Sequence, residues 1–280
     1  MDVITKVNEM QTRVLSIKDR KKSIGFVPTM GALHEGHVSL IRSARKENNK
    51  LIVSIYLNPT QFDNEDDFNN YPRQMDKDIE IVERENADLV FAPGTKELYP
   101  EGFCTYVTQD KLTDSLCGRL RPGHFNGVTT IVTKLFNIIK PDRAYFGQKD
   151  YQQTVVIKRL VADLNMDIDV RVLPIVRDED GLAISSRNKR LNPEERQNAL
   201  CIYSSLSKAK SVFASNIKDS KEIIEEMTSI IKKTKNIKID YVSIVDPNTL
   251  ENVSSINGKA VATVAVWIGN TRLIDNIILE

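Results

Sequence analysis

The sequence is poor in several features that mark particular classes of protein. Its three cysteines, Cys104, Cys117 and Cys201, are an odd number without CxxC spacing, which is typical of a reducing compartment and not of a disulfide scaffold. No stretch approaches the roughly 18 consecutive apolar residues of a membrane span. The N-terminus lacks the apolar run of a secretory signal. We therefore expect a soluble, cytoplasmic protein that has no membrane partner.

An excess of charge of either sign is also lacking. Lys and Arg number 39 against 38 Asp and Glu, and aromatic residues make up only 6% of the chain. Nucleic-acid-binding proteins usually carry a basic excess, and disordered chains a large net charge. The 280 residues, 41% of them hydrophobic, predict instead a globular protein with a sizeable core and no nucleic-acid partner.

Short apolar runs alternate with amphipathic stretches over the first two thirds of the chain. This alternation predicts βαβ units and an α/β fold with a Rossmann-like parallel sheet. The predicted strands cover 24–27, 51–57, 88–92, 144–146 and 168–176, and the predicted helices cover 36–46, 76–85, 127–139 and 151–164.

The pattern changes after residue 176. Asn192 followed by Pro193 predicts a helix start, and a Lys-rich helix is predicted over 220–233. Three β-like runs at 239–245, 260–267 and 272–278, the last two joined at Gly269-Asn270, predict a short antiparallel sheet. We therefore expect a Rossmann-like domain over 1–176 and a smaller α+β domain over 177–280.

Two of the chain's three histidines, His34 and His37, fall at the predicted turn from the strand at 24–27 into the helix at 36–46. In an open parallel sheet, ligands bind at the carboxyl ends of the strands, and a helix N-terminus there offers free N–H groups to phosphate. Imidazoles beside it can donate hydrogen bonds to phosphate oxygens. Gly36 would let a flat base approach the backbone.

The residues also allow other interpretations of the histidine pair. The spacing is not that of HExxH, and zinc would need further ligands, for which His124 and the cysteines are remote in sequence. Two unrelated structural histidines are another alternative. Neither GxGxxG nor GxxxxGK[ST] occurs. A mononucleotide site without a P-loop is the interpretation that the residues favour.

The histidine segment is one of several blocks that occur in a fixed order. The blocks read PTMGALHEGH at 28–37, NPTQF at 58–62, YPR at 71–73, RPGHF at 121–125, FGQKDYQQ at 146–153 and SSRN at 185–188. The HxGH turn is similar to the signature of the nucleotidyltransferase superfamily. Together the blocks resemble the pantoate–β-alanine ligase (pantothenate synthetase) family over residues 20–195.

The resemblance implies an AMP-forming ligase of pantothenate and coenzyme A biosynthesis, which joins (R)-pantoate to β-alanine at the expense of ATP through a pantoyl adenylate. Residues 1–176 would then bind ATP and pantoate, and 177–280 would act as a lid. Diphosphate and AMP would be released. Magnesium is expected as a partner of the ATP phosphates, and the family implies a homodimer, for which an edge at 105–107 is a candidate.

The resemblance also assigns roles to matching residues. The residues expected in catalysis are His37, His34, Lys149 and Arg187. The residues expected to bind ATP are Met30, Gly31, Ala32, Leu33, His34, Glu35, Gly36, His37, Gly147, Gln148, Lys149, Asp150, Val176, Ile184, Ser185, Ser186 and Arg187. Gln61, Gln153 and Asn58 are expected to bind substrate, and Arg121 and His124 are weaker candidates.

Some features depart from this picture or allow others. Ile184 stands where the family commonly has methionine, for which we expect a modest effect on ATP affinity. The acidic runs 65–67 and 76–78 could assist magnesium, but solvated surface charge is the more ordinary interpretation. A transferase of AMP to phosphate acceptors, a tRNA-binding module and a non-catalytic nucleotide sensor remain alternative functions.

Overall fold

The N-terminal part of the chain forms a six-stranded, fully parallel sheet in the computed structural model, which describes all 280 residues. The strand order is β1-β4-β3-β2-β5-β6, and every neighbouring pair runs parallel. This confirms the predicted Rossmann-like sheet. The strands are β1 (Asp2–Ile4), β2 (Ile24–Thr29), β3 (Lys50–Ile55), β4 (Leu89–Phe91), β5 (Arg143–Gly147) and β6 (Asp169–Leu173).

Helices cover both faces of this sheet, which is why its central strands are apolar on both sides. Five of the six residues of β3 are buried. The core on one face includes Phe26 and Ile52, and that on the other includes Val27 and Val53. The helices are α1 (Val7–Asp19), α2 (Glu35–Glu47), α3 (Glu65–Asn69), α4 (Met75–Arg84), α5 (Thr95–Leu98), α6 (Leu116–Leu120), α7 (His124–Ile139) and α8 (Tyr151–Asp163).

The C-terminal part forms a three-stranded antiparallel sheet with helices packed on it, as predicted. Asn192 and Glu195 form a capping box at the start of α9, which confirms the predicted helix start. Gly269 and Asn270 lie between two antiparallel strands, as a hairpin requires. The elements are α9 (Pro193–Asn198), α10 (Leu200–Ala214), α11 (Ser220–Lys232), β7 (Ile237–Val245), β8 (Ala260–Ile268) and β9 (Thr271–Leu279).

The two sheets share packing across the predicted boundary at residue 176. One face of β8 packs on α10 and α11. Val245, Leu250 and Val261 join the N-terminal core instead. The division of the chain at residue 176, and the role of 177–280 as a lid, stay predictions. No helix has the length and apolar character that spanning a bilayer requires.

The order of the parallel strands creates a crevice between β2 and β5. From β2 the chain proceeds through β3 and β4 to one side, whereas β5 and β6 lie on the other. At such a switch point the connections leave neighbouring strands in opposite directions, so a crevice opens at their carboxyl ends. The residues that follow β2 and β5 therefore meet there.

Candidate active site

A cavity of about 1460 Å³ opens at this switch point. It exceeds the usual 300–1,000 Å³ of a small-molecule site, so it can hold more than one ligand. Among the residues that line it are members of every block that the sequence singled out. They include Met30, His34, Gly36, His37, Asn58, Gln61, Tyr71, Arg121, His124, Gly147, Lys149, Asp150, Gln153, Ser185, Ser186 and Arg187. Val176 and Ile184, which lie outside the blocks, line it too.

The loop between β2 and α2 is held by a buried carboxylate. Asp78, only 1% exposed, accepts hydrogen bonds from the Ala32 and Leu33 N–H groups at 2.8 Å each. Gly31 has φ +80°, and a Cβ there would lie 2.9 Å from an Asp78 oxygen, so the position requires glycine. The expectation that Asp78 is solvated surface charge is wrong, because these backbone donors stabilise it inside.

Five of the predicted ATP-binding residues lie behind the cavity wall. Gly31, Ala32, Leu33, Glu35 and Gln148 are absent from the lining. The amides of Ala32 and Leu33 are taken by the Asp78 carboxylate. The Glu35 carboxylate points to the surface, where it pairs with a guanidinium. These five residues shape the site, and their contact with ATP stays a prediction.

The histidine pair lies at the N-terminus of α2, with the two rings 4.1 Å apart. The His34 N–H donates to Nδ1 of His37 at 3.3 Å, so Nε2 of a neutral His37 must carry the proton. Gly36 leaves room for the His34 ring, since a Cβ at this position would lie only 3.0 Å from that ring. The geometry makes His37 a hydrogen-bond donor at a helix N-terminus.

Burial keeps both imidazoles neutral. Burial first, and the charge of Lys149 next, lower the pKa of His34 to about 4. The pKa of His37 lies well below its usual value of 6.5, because of burial first and of His34 and Lys149 next. Burial and Arg121 lower the pKa of the third histidine, His124, to about 4. All three histidines are therefore neutral at pH 7.

We predict that no histidine of the ligand-free protein titrates near pH 6.5. With only three histidines, the Cε1–H resonances can be followed individually by NMR. Because the unfolded chain binds histidine protons below about pH 6.5 and the folded chain refuses them until about pH 4, stability should fall as pH decreases across this window. Urea unfolding at pH 7 and pH 5 measures that loss. A histidine titrating between pH 6 and 7 would contradict the assigned burial.

Lys149 follows β5 and faces the same crevice. No carboxylate lies within the 4.0 Å of an ion pair from its ammonium group, so the charge is free to meet a ligand. Its backbone carbonyl accepts a hydrogen bond from the side chain of Asn276 at 3.1 Å, and the neighbouring Gln148 carbonyl accepts another at 3.0 Å. A strand of the C-terminal sheet thus fixes the loop that carries this lysine.

Ser185, Ser186 and Arg187 reach the cavity from the segment after the boundary. The Ser185 side chain caps a short 3-10 helix by accepting from the Arg187 N–H, and Ser186 donates to the Tyr71 hydroxyl at 3.2 Å. The Arg187 guanidinium pairs with Asp67 at 2.7 Å. Asp67 therefore is not solvated charge, and Arg187 would have to share or exchange this partner to bind phosphate.

Gln61 and Gln153 line the cavity from opposite elements. Gln61 follows β3 in a 3-10 turn, where its amide lies between Met30 Sδ, at 2.9 Å, and the Asn58 side chain, at 3.2 Å. Gln153 lies in the first turn of α8, half-buried and without a hydrogen-bond partner in the chain. Its amide is thus available to a ligand.

Asn58, Arg121 and His124 support Gln61 from behind. The Asn58 amide nitrogen donates to Gln61 and to the Gly127 carbonyl, and its oxygen accepts from two hydroxyls, so its capacity is filled. His124 Nδ1 lies 2.6 Å from the Gln61 carbonyl and must donate to it. Arg121 forms an ion pair with Asp63, two residues after Gln61. Direct contact of Asn58 with substrate stays a prediction.

Several residues build the site in ways that the sequence does not predict, although Tyr71 and Gln152 lie within the characteristic blocks and Asp67 and Asp78 within the acidic runs. Each acts across a long stretch of chain, so neither spacing nor periodicity could identify its partner. Gln152, for example, is buried on α8 and binds the 112–117 loop through three backbone groups. The residues in question are Asp67, Tyr71, Asp78, Gln152 and Asn276.

The fold and the site together define an α/β protein that presents neutral donors and a free cation to an anionic ligand at its switch point. Comparison with known proteins narrows this class. The sequence pattern of the pantoate-beta-alanine ligase family matches residues 2–278. The chain therefore belongs to the pantoate–β-alanine ligase family and is a ligase.

Relatives and solved structures agree over the whole chain. A pantothenate synthetase of Thermotoga petrophila is 53% identical over 279 residues, covering all of both chains. The crystal structure of pantothenate synthetase from Thermus thermophilus has a TM-score of 0.94 at 40% identity, covering 99% of each chain. That of the Francisella tularensis ligase, described as complexed with beta-gamma ATP and beta-alanine, has a TM-score of 0.83 at 36% identity and covers 99% of this chain and 97% of its own.

Proposed function

We propose that this ligase joins pantoate to β-alanine with ATP, through a pantoyl adenylate. A carboxylate is a poor electrophile, because direct attack by an amine must expel an oxide. In the first step a pantoate carboxylate oxygen bonds to the α-phosphorus of ATP, and diphosphate leaves. In the second, the β-alanine amine bonds to the acyl carbon, AMP leaves and the amine loses a proton.

The observation that carries this proposal is the meeting of free donors and a free cation at one sheet edge. The His37 Nε2–H, the N-terminus of α2 and the unpaired Lys149 ammonium all face the cavity. Such groups stabilise the charge that builds on phosphate oxygens in the first step. A neutral imidazole suits this part, since it donates without binding a proton at pH 7.

The cavity also carries two glutamine amides that suit a polar organic acid. An amide can both donate and accept, which matches the hydroxyl and carboxylate groups of pantoate. Gln61, after β3, and the free amide of Gln153, at the start of α8, supply this chemistry. The relative described as complexed with beta-gamma ATP and beta-alanine supports ATP and β-alanine as the other two substrates.

Magnesium is proposed to enter as the counter-ion of the ATP phosphates, whose oxygens would be its main ligands. The chain brings no three His, Cys, Asp or Glu side chains into a metal-binding cluster. Bound there, Mg²⁺ would further neutralise phosphate charge. The homodimer also stays a proposal: the 105–107 run forms no strand within the chain, and the Val107 N–H is bound by the Thr130 hydroxyl.

Pyrophosphate exchange into ATP tests the function. With pantoate and magnesium present and β-alanine absent, we expect labelled pyrophosphate to enter ATP only when pantoate is supplied. Omission of pantoate is the control. Exchange without pantoate would contradict the adenylate. So would an ATP-binding protein that neither exchanges pyrophosphate nor releases AMP when β-alanine is added. AMP release only on addition of β-alanine would show that both substrates must bind first.

Replacement of Gln153 tests the pantoate site. Gln153→Ala is expected to raise the KM for pantoate about 10-fold or more, because a hydrogen bond to a charged group contributes about 1.5–3 kcal/mol. The KM for ATP should change little. Gln197→Ala, on the surface of α9, is the matched control. An unchanged pantoate KM in the folded Gln153→Ala protein would remove Gln153 from the site.

A further inference from the structure

Asn276 is buried on β9, with 2% of its surface exposed, and its amide is turned toward the loop after β5. The amide nitrogen donates to the carbonyls of Gln148 and Lys149 at 3.0 and 3.1 Å. The amide oxygen accepts from the Gln148 side chain at 3.1 Å. The reverse amide orientation would place an oxygen against two carbonyls, so the orientation is fixed.

Asp275, the residue before Asn276 on β9, holds the segment that leads to Ser185. Asp275 accepts the Asn276 N–H at 2.8 Å and forms a two-point ion pair with Arg177 at 2.6 and 3.0 Å. Arg177 in turn donates to the Gly181 carbonyl at 3.0 Å. Asp275 is itself 2% exposed, so this pairing is shielded from water. Two adjacent residues of β9 thereby fix both segments that face the phosphates.

We propose that Asn276 is a positioning residue for adenylation, which sets the place of the Lys149 ammonium group through the backbone that carries it. The proposal rests on the function assigned to Lys149 above. A lysine without an ion-pair partner has nothing at its own tip to fix it in the absence of ligand. Its direction is therefore set from the backbone side, and Asn276 supplies two of the hydrogen bonds that hold this backbone.

This role makes the C-terminal sheet part of the first chemical step. The Asn276 amide belongs to a different sheet from β5, and 127 residues separate it from Lys149. A small shift of β9 against β5 would move Lys149 relative to the two histidines. Because a misplacement of about 1 Å can cost on the order of 10²-fold in rate, the strand acts on catalysis without touching substrate.

Asn276→Asp tests the proposal, since it preserves size and removes both donors. We expect pantoate-dependent pyrophosphate exchange to fall about 10-fold or more, because the loop is released from its support. Capture of supplied pantoyl adenylate by β-alanine should change less than about 3-fold, since no charge then builds toward diphosphate. Asn276→Ser, which retains one donor, should lose less exchange activity. It replaces Asn276→Asp as the test if the aspartate variant does not fold. Ile278→Val, on the same face of the same strand, is the matched control.

A double-mutant cycle separates positioning from simple destabilisation. In a Lys149→Met background, Asn276→Asp should lower the exchange rate by less than a further factor of about 2, because the group that Asn276 positions is gone. Equal losses in both half-reactions, or an additive loss in that background, would overturn the proposal. Failure of the unaltered enzyme to exchange would instead contradict the proposed function, so the two failures are distinguishable.

Discussion

His37→Ala is expected to lower pantoate-dependent pyrophosphate exchange by on the order of 10²-fold or more, the scale for loss of one preorganised donor to a developing charge. The structure gives the reason. The His34 N–H donates to His37 Nδ1, so the proton lies on Nε2, and burial keeps the ring neutral at pH 7. The variant loses a donor that already points into the cavity.

Two comparisons make this expectation specific. His37→Gln can place an amide N–H in the same region, so it should recover part of the exchange that His37→Ala loses. Capture of supplied pantoyl adenylate by β-alanine should be affected much less than exchange. Thermal unfolding of each variant shows whether α2 still folds. Exchange near the unaltered rate in a folded His37→Ala protein would remove His37 from the adenylation step.

The central strands could be predicted from the sequence because both of their faces are buried. Near-continuous apolar runs result, and the predicted 51–57 and 144–146 overlap β3 and β5. Their ends were less well defined. The predicted strand 168–176 ends at Leu173 in the structure, since Pro174 has no N–H for the ladder.

Elements with weak patterns were missed for identifiable reasons. β1 has only three residues, at an edge of the sheet, too few for a period. α1 buries only Met10 and Val14 completely, so its apolar stripe is narrow. α10 is apolar on much of its surface because it packs on both α11 and the C-terminal sheet, which weakens its helical period.

The candidate site, too, could be predicted from the sequence only in part. Residues in short, characteristic blocks, such as His34 and Lys149, could be assigned because the block and its place after a strand were both visible. The groups that orient them could not. Asp78 lies 45 residues from the Leu33 amide it holds, and Asn276 lies 127 from Lys149. Only the folded chain shows that these side chains are near each other.

Lys149→Met should lower pyrophosphate exchange by about 10²–10³-fold, comparable to the loss at His37, because it removes the free cation facing the phosphates while preserving the length of the side chain. The same substitution has a second readout. The charge of Lys149 lowers the pKa of both His34 and His37. In the variant, NMR titration should therefore find the His34 pKa raised above its value of about 4.

Lys189→Met is the matched control for both readouts. Lys189 also lowers the His34 pKa, but it is exposed and does not line the cavity. It should raise the His34 pKa while leaving exchange within a few-fold of the unaltered rate. If both lysine variants lost exchange equally, the loss would follow from the charge state of His34. If only Lys149→Met does so, the ammonium group itself meets the phosphates, and the charge state of His34, which both variants change, does not account for the loss.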